Sequence, residues 1–123
     1  MIHISTDYIF DGLNTDAYRE DHIPNPLNIY GKSKLLGEEV IRSSNCEHLI
    51  LRTSWVFSSN GNNFFNKIRD LSKTQNELKI VSDQYGSPTF SDDIAVAIYS
   101  MMKFLEEPNF KKTLNFAGNE KCS

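Results

Sequence analysis

Asn28-Ile29-Tyr30-Gly31-Lys32-Ser33-Lys34 opens a helix between two strand-like runs. Ile2-His3-Ile4-Ser5-Thr6 lies before it and His48-Leu49-Ile50-Leu51-Arg52 after it. The second run is nearly continuous in apolar residues, the pattern of a parallel strand buried on both faces. Residues 2–6 read as a shorter buried strand. The spacing predicts a helix from Asn28 or Ile29 to about Ser44, with Asn28 as its N-cap. Tyr30, Lys34, Gly37 and Ile41 share one stripe of it, and Gly37 is expected to let the helix approach its neighbours closely. Strand, helix and strand in this order predict an α/β fold.

Working outward, residues 11–27 are polar, with Asp, Asn and Pro, and read as a long loop over a site. A second helix is expected after Asn62 and Asn63, with Phe64, Ile68 and Leu71 at helical spacing. Leu78-Lys79-Ile80-Val81 reads as a short strand. Ser91 is expected to cap a third helix with Asp92 and Asp93 in its first turn. The apolar stripe of that helix is Ile94, Ala97, Ile98, Met101 and Leu105, and Pro108 stops it. Core packing is expected to account for both Met101 and Met102. Leu114-Asn115-Phe116-Ala117 reads as a last strand.

The 123 residues amount to one domain, large enough to bury roughly two-thirds of its unfolded surface. Apolar content of 39% and charged content of 24% place the chain among globular rather than disordered sequences. A net charge of −3 with no basic block argues against nucleic acid as a main ligand. No apolar run approaches the roughly 18 residues of a membrane span. Cys46 and Cys122 form no metal-spacing motif and read as two thiols in a reducing cytoplasm. His3, His22 and His48 show no ligand spacing.

Chemistry concentrates on Tyr30 and Lys34. Four residues apart on a helix, they share a face. A cation beside a phenol stabilises phenolate, and a phenol tuned in this way can pass a proton to or from a carbonyl or alcohol oxygen. Thr6, at the end of the first strand and about two dozen residues upstream, could offer a hydroxyl to the same oxygen. A solvated helix face explains a bare Tyr-x-x-x-Lys, and strand preference alone explains a threonine. The three together at this spacing favour a catalytic group.

Further stretches add to the pattern: Ser5-Thr6-Asp7-Tyr8-Ile9-Phe10-Asp11-Gly12, Pro26 through Glu38, Arg52-Thr53-Ser54-Trp55-Val56-Phe57, Gly61-Asn62-Asn63-Phe64 and Asp83-Gln84-Tyr85-Gly86-Ser87-Pro88-Thr89. In this order the sequence resembles the extended short-chain dehydrogenase/reductases, and within them the dTDP-4-dehydrorhamnose reductase family, over roughly Ile2 to Gly118. The resemblance implies part of a Rossmann-like doubly wound parallel sheet with a few elements of a small substrate-binding domain. Residues 1–60 and 90–118 would belong to the carboxyl-terminal half of the dinucleotide domain, and residues 62–90 to the substrate domain. The six glycines form no Gly-x-Gly-x-x-Gly or Gly-x-x-Gly-x-x-Gly turn of the kind that cradles a pyrophosphate. The chain therefore reads as an internal piece of a longer reductase, inactive alone, with its open sheet edge favouring homo-oligomers.

What the resemblance implies for the site is specific. Thr6, Tyr30 and Lys34 are the catalytic residues, reducing the 4-keto group of dTDP-4-dehydro-L-rhamnose with NADPH or NADH. Ser5, Tyr30, Lys34, Arg52 and Thr53 stand on the cofactor side. Thr6, Asp7, Tyr8, Trp55, Asn63, Gln84 and Pro88 stand on the substrate side, with Tyr85 beside them. Trp55 packs on the sugar or base, or else is a core tryptophan. Asn63 contacts the diphosphate, or else caps a helix. Residues 84–88 lie near the nucleotide, or else form a Gly-Ser-Pro turn. Gly31 and Glu38 are assigned to helix geometry and surface charge. Mg²⁺ is admitted as an accessory ion, with no residue assigned to hold it. The alternatives are another nucleotide-sugar reductase or epimerase, and a non-catalytic subunit of the methionine adenosyltransferase β type.

Overall fold

The computed structural model describes residues 1–123. Strands β1 (Ile2–Thr6), β2 (His48–Thr53) and β5 (Lys111–Asn115) form a parallel sheet in the order β1-β2-β5. In register, Ile4 lies opposite Leu51 and Leu51 opposite Leu114. A second, two-stranded parallel sheet pairs β3 (Val56–Phe57) with β4 (Thr89–Phe90). The helices are α1 (Ile29–Ser43), α2 (Phe64–Ser72) and α3 (Ser91–Met101). The expected α/β architecture is present, and no helix is long and apolar enough to cross a membrane.

Strand β2 is the core. All six of its residues are buried, as its apolar run requires, because it has a strand on each side and a helix on each face. Side chains alternate across a strand. Arg52 reaches Glu38 of α1. Leu49 and Leu51, of the opposite parity, line an apolar cavity of about 270 Å³ with Ala97 and Met101 of α3. The two helices therefore cover opposite faces of the sheet.

Several expectations change. Strand β1 is buried only at Ser5 and Thr6; Ile4 is exposed because β1 is an edge strand. Residues 78–81 form no strand, since no neighbouring strand offers them a hydrogen-bonding edge, and Ile80 and Val81 are exposed. Ser91 is the first residue of α3 rather than its cap; Phe90 occupies the cap position, with no side-chain hydrogen bond. Regular α-helix ends at Met101, and a 3-10 turn over Met102–Glu106 follows before Pro108. Met102 is 52% exposed, so core packing accounts for Met101 alone. The last strand begins and ends earlier than expected, at Lys111 and Asn115.

Candidate functional site

The site starts at the carboxyl end of β1, where open α/β sheets receive ligands. Thr6 caps a 3-10 turn over Asp7–Ile9, its Oγ1 accepting from the Tyr8 amide at 3.3 Å. The same hydroxyl donates to Asp7 Oδ1 at 3.1 Å. Burial pushes the Asp7 carboxyl above its ordinary range, against the Thr6 hydrogen bond, which lowers it. Thr6 is thus buried and already engaged.

Helix α1 begins as predicted. Asn28 Oδ1 accepts the Gly31 amide at 2.7 Å. The helix approaches most closely at Gly31, not at Gly37. A Cβ on Gly31 would lie 2.1 Å from the Tyr8 carbonyl oxygen, whereas one on Gly37 would meet the His3 ring at an ordinary 3.5 Å. That contact seats the first turn of α1 on the 3-10 turn and brings Tyr30 edge-on to Tyr8, with ring centroids 6.0 Å apart. One turn on, Lys34 Nζ donates to the Ile4 carbonyl. Tyr30 and Lys34 therefore both face the end of β1, and Tyr30 is 54% exposed.

Glu38 is not a surface charge. It is fully buried and takes both arms of Arg52, Nε at 3.1 Å and Nη2 at 2.8 Å, with Arg42 at 2.5 Å. Burial disfavours its charge, but the hydrogen bonds and charge of Arg52, with Arg42, hold its carboxyl below the usual range. The third guanidinium nitrogen of Arg52, Nη1, donates to the Glu20 carbonyl at 3.3 Å, and the guanidinium lies over the Phe10 ring. Arg52, expected on the cofactor side, is instead a buried tie between α1, β2 and the loop over residues 11–27. Sequence reading missed this because the arginine's partner sits on another element.

An open cleft of about 1030 Å³ lies beside this group. Among the expected substrate residues it gathers Asp7, Tyr8, Trp55 and Gln84, together with Tyr85. Ser5, Thr6, Tyr30, Lys34, Thr53, Asn63 and Pro88 are not part of its lining. Tyr30 adjoins it through Tyr8. Asn63 is occupied with structure: its Oδ1 caps Asn66 at 2.9 Å and its Nδ2 donates to the Ser58 carbonyl at 2.9 Å. Thr53 Oγ1 is buried without a partner at the end of β2, opposite Thr6, whereas Ser5 stands opposite Arg52 on the side of the Glu38 carboxylate. Trp55 has φ 44°, in the left-handed region that non-glycine residues seldom adopt.

The cleft also contains residues with no assigned role. Asp11 accepts from the Tyr18 hydroxyl at 2.6 Å and from Asn25 at 3.0 Å. These bonds, with the Leu13 amide, lower its pKa to about 2. Their signal was the polar loop itself, read as covering a site. Gly118 and Lys121 enter from beyond the last strand, and Lys121 Nζ stands 5.2 Å above the Tyr85 ring. No local motif marks them. No group of three or more acidic, histidine or cysteine side chains is placed to hold a metal ion.

Comparison with known proteins adds the family. The model of the RmlD substrate binding domain matches residues 1–123. The chain is 50% identical over 100 residues to the spore coat polysaccharide biosynthesis protein SpsK of Bacillus subtilis (strain 168), covering 81% of this chain and 35% of that protein. It is 48% identical over 103 residues to the dTDP-4-dehydrorhamnose reductase of Sinorhizobium fredii (strain NBRC 101917 / NGR234), covering 84% and 35%. A crystal structure of the dTDP-4-dehydrorhamnose reductase of Bacillus anthracis str. Ames, in complex with NADP, superposes with a TM-score of 0.89 at 38% identity, over 99% of this chain and 42% of that one. The chain thus spans about a third of the length of the curated relatives it matches.

Proposed function

The chain belongs to the RmlD substrate binding domain family, and on that premise we propose that it carries the proton-donating and sugar-binding parts of a nucleotide-sugar ketoreductase. The reaction is reduction of the 4-keto group of dTDP-4-dehydro-L-rhamnose, giving dTDP-L-rhamnose for cell-surface polysaccharide. The compartment is the cytoplasm, which keeps thiols such as Cys46 and Cys122 reduced. The observation that carries this reading is the seating of Tyr30 against Tyr8 at the cleft, with Lys34 one turn behind it on the same face.

NADPH or NADH, when bound, supplies the hydride. The residues present fit its nicotinamide end. Tyr30, 54% exposed, and Lys34 share one face of α1 beside β1, and Thr53 Oγ1 is a buried hydroxyl with no partner at the end of β2. The six glycines form no glycine-rich turn of the kind that cradles a pyrophosphate. Tyr30 Oη gives its proton to the carbonyl oxygen. Lys34 stabilises the phenolate left behind and holds the ribose. The Thr6 hydroxyl exchanges Asp7 for the substrate oxygen and orients it. Trp55 and Gln84 line the cleft that takes the nucleotide sugar.

The test is a pair of titrations into this chain, one with dTDP-L-rhamnose and one with NADPH, followed through the emission of Trp55. We expect the nucleotide sugar to bind, and NADPH to bind far more weakly, with no reductase turnover. Failure to bind dTDP-L-rhamnose would remove the sugar-site assignment. In any polypeptide where this sequence does turn over, Tyr30→Phe should lower kcat about 10²- to 10⁴-fold, the usual contribution of a positioned acid. Binding of dTDP-L-rhamnose should be spared. Wild-type turnover in that variant would exclude Tyr30 as the acid.

A further inference from the structure

Gly86 stands apart from the other glycines. Gly12 and Gly61 have φ of 76° and 82° with open space around them, so backbone conformation accounts for both. Gly31 and Gly118 press on backbone carbonyls, those of Tyr8 and Pro88. Gly86 has no positive φ and presses on a side chain instead. A Cβ there would lie 2.4 Å from Trp55 Cε2, 2.7 Å from Nε1 and 2.8 Å from Cδ2. Only the indole requires a glycine at this position.

The backbone on both sides of that contact is hydrogen-bonded. The Gly86 amide donates to the Cys122 carbonyl and the Cys122 amide to the Gly86 carbonyl, both at 2.9 Å. Ser54 Oγ donates to the Ser87 carbonyl at 2.8 Å, and the Thr89 amide to the Trp55 carbonyl at 3.2 Å. A side chain at residue 86 therefore displaces the indole rather than the loop. The indole belongs to the cleft, and its own backbone is held at a positive φ.

We propose that Gly86 is a positioning residue: its bare α-carbon lets the Trp55 indole lie back against the loop, so that the ring forms a wall of the cleft with room for the nucleotide sugar in front of it. The ligand rests on the function proposed above; the coupling of residue 86 to the indole does not.

Trp55 is the only tryptophan, so its emission reports this geometry directly. In Gly86→Ala, without ligand, the emission should move to the red and become more accessible to acrylamide. Affinity for dTDP-L-rhamnose should fall roughly tenfold, the scale of one lost aromatic contact. In a Trp55→Phe background, where a smaller ring leaves room for the Cβ, the same change should cost little affinity. If Gly86→Ala does not fold, as judged by far-UV circular dichroism, the Trp55→Phe/Gly86→Ala pair should restore folding. Unchanged emission and quenching in Gly86→Ala overturns the proposal, as does an equal loss of affinity or folding with and without the indole. If the unaltered chain does not bind dTDP-L-rhamnose, the proposed function fails, and the emission comparison still decides the coupling.

Discussion

Glu38 and Arg52 are buried together, at 2.8 Å, with Arg42 as a half-exposed third member. Removing one charge of a buried pair leaves the other stranded. Glu38→Gln should therefore cost about 3–5 kcal/mol at neutral pH, read as a fall in the urea midpoint. A loss well under 1 kcal/mol would mean that water reaches Arg52. The pH dependence has a definite sign. The folded carboxyl titrates below the ordinary glutamate value of 4.5. Its contribution is complete above that pH and is lost as pH falls through the folded value, so the variant should show a flatter acid limb. Asp7 has the opposite sign. Burial raises its folded pKa above 3.8, so ionisation opposes folding as pH rises through the interval between the two values. Asp7→Asn should therefore be more stable than the parent at pH 7. A drop in its melting temperature would show that the carboxylate is better partnered than its burial suggests.

Helix α1 is the element on which the site depends. Its start is set locally by Asn28, and Asn28→Ala should cost about 1 kcal/mol as a lost cap. Its seating is set at Gly31, where a Cβ would meet a backbone oxygen that cannot rotate away. Gly31→Ala should cost about 1–3 kcal/mol through overpacking and shift Tyr30 away from Tyr8. Thermal melts of the two variants would rank them, and a Gly31→Ala change no larger than that of Asn28→Ala would argue against the tight seating. Helix α2 is held differently. Asn63 caps it, and the buried Asn66 amide donates to the carbonyls of Ser58, Ser59 and Gly61, tying the helix to the loop before it. Helix α3 lacks a side-chain cap and has Asp92 and Asp93 near its positive end instead.

At the scale of the molecule, the accessible surface is 8840 Å², against about 6700 Å² for a compact monomer of this size. The expected two-thirds burial is not reached. The excess comes from two open sheet edges and from helix faces bearing Leu36, Val40, Val96 and Tyr99. Open edges and apolar faces favour pairing with a second copy. Sedimentation velocity should show association that grows with protein concentration. A single monomeric species across the accessible range would show that the edge strands are adequately protected by their twist and charge.

The sequence by itself determined what depends on near neighbours. The β1–α1–β2 order, the Asn28 cap, the shared face of Tyr30 and Lys34 and the core strand follow from periodicity and capping, which act over a few residues. The placement of Tyr8, Trp55 and residues 83–87 around one cleft was legible only through the ordered motifs. Tertiary structure alone decided the rest, because it set partners far apart in the chain. It buried Glu38 by giving it Arg52, left residues 78–81 without a strand to pair with, and moved the close approach from Gly37 to Gly31. It also set Gly86 against Trp55 and brought Lys121 over Tyr85. A side chain's own chemistry says what it can bind; only the packed chain decides which group arrives to be bound.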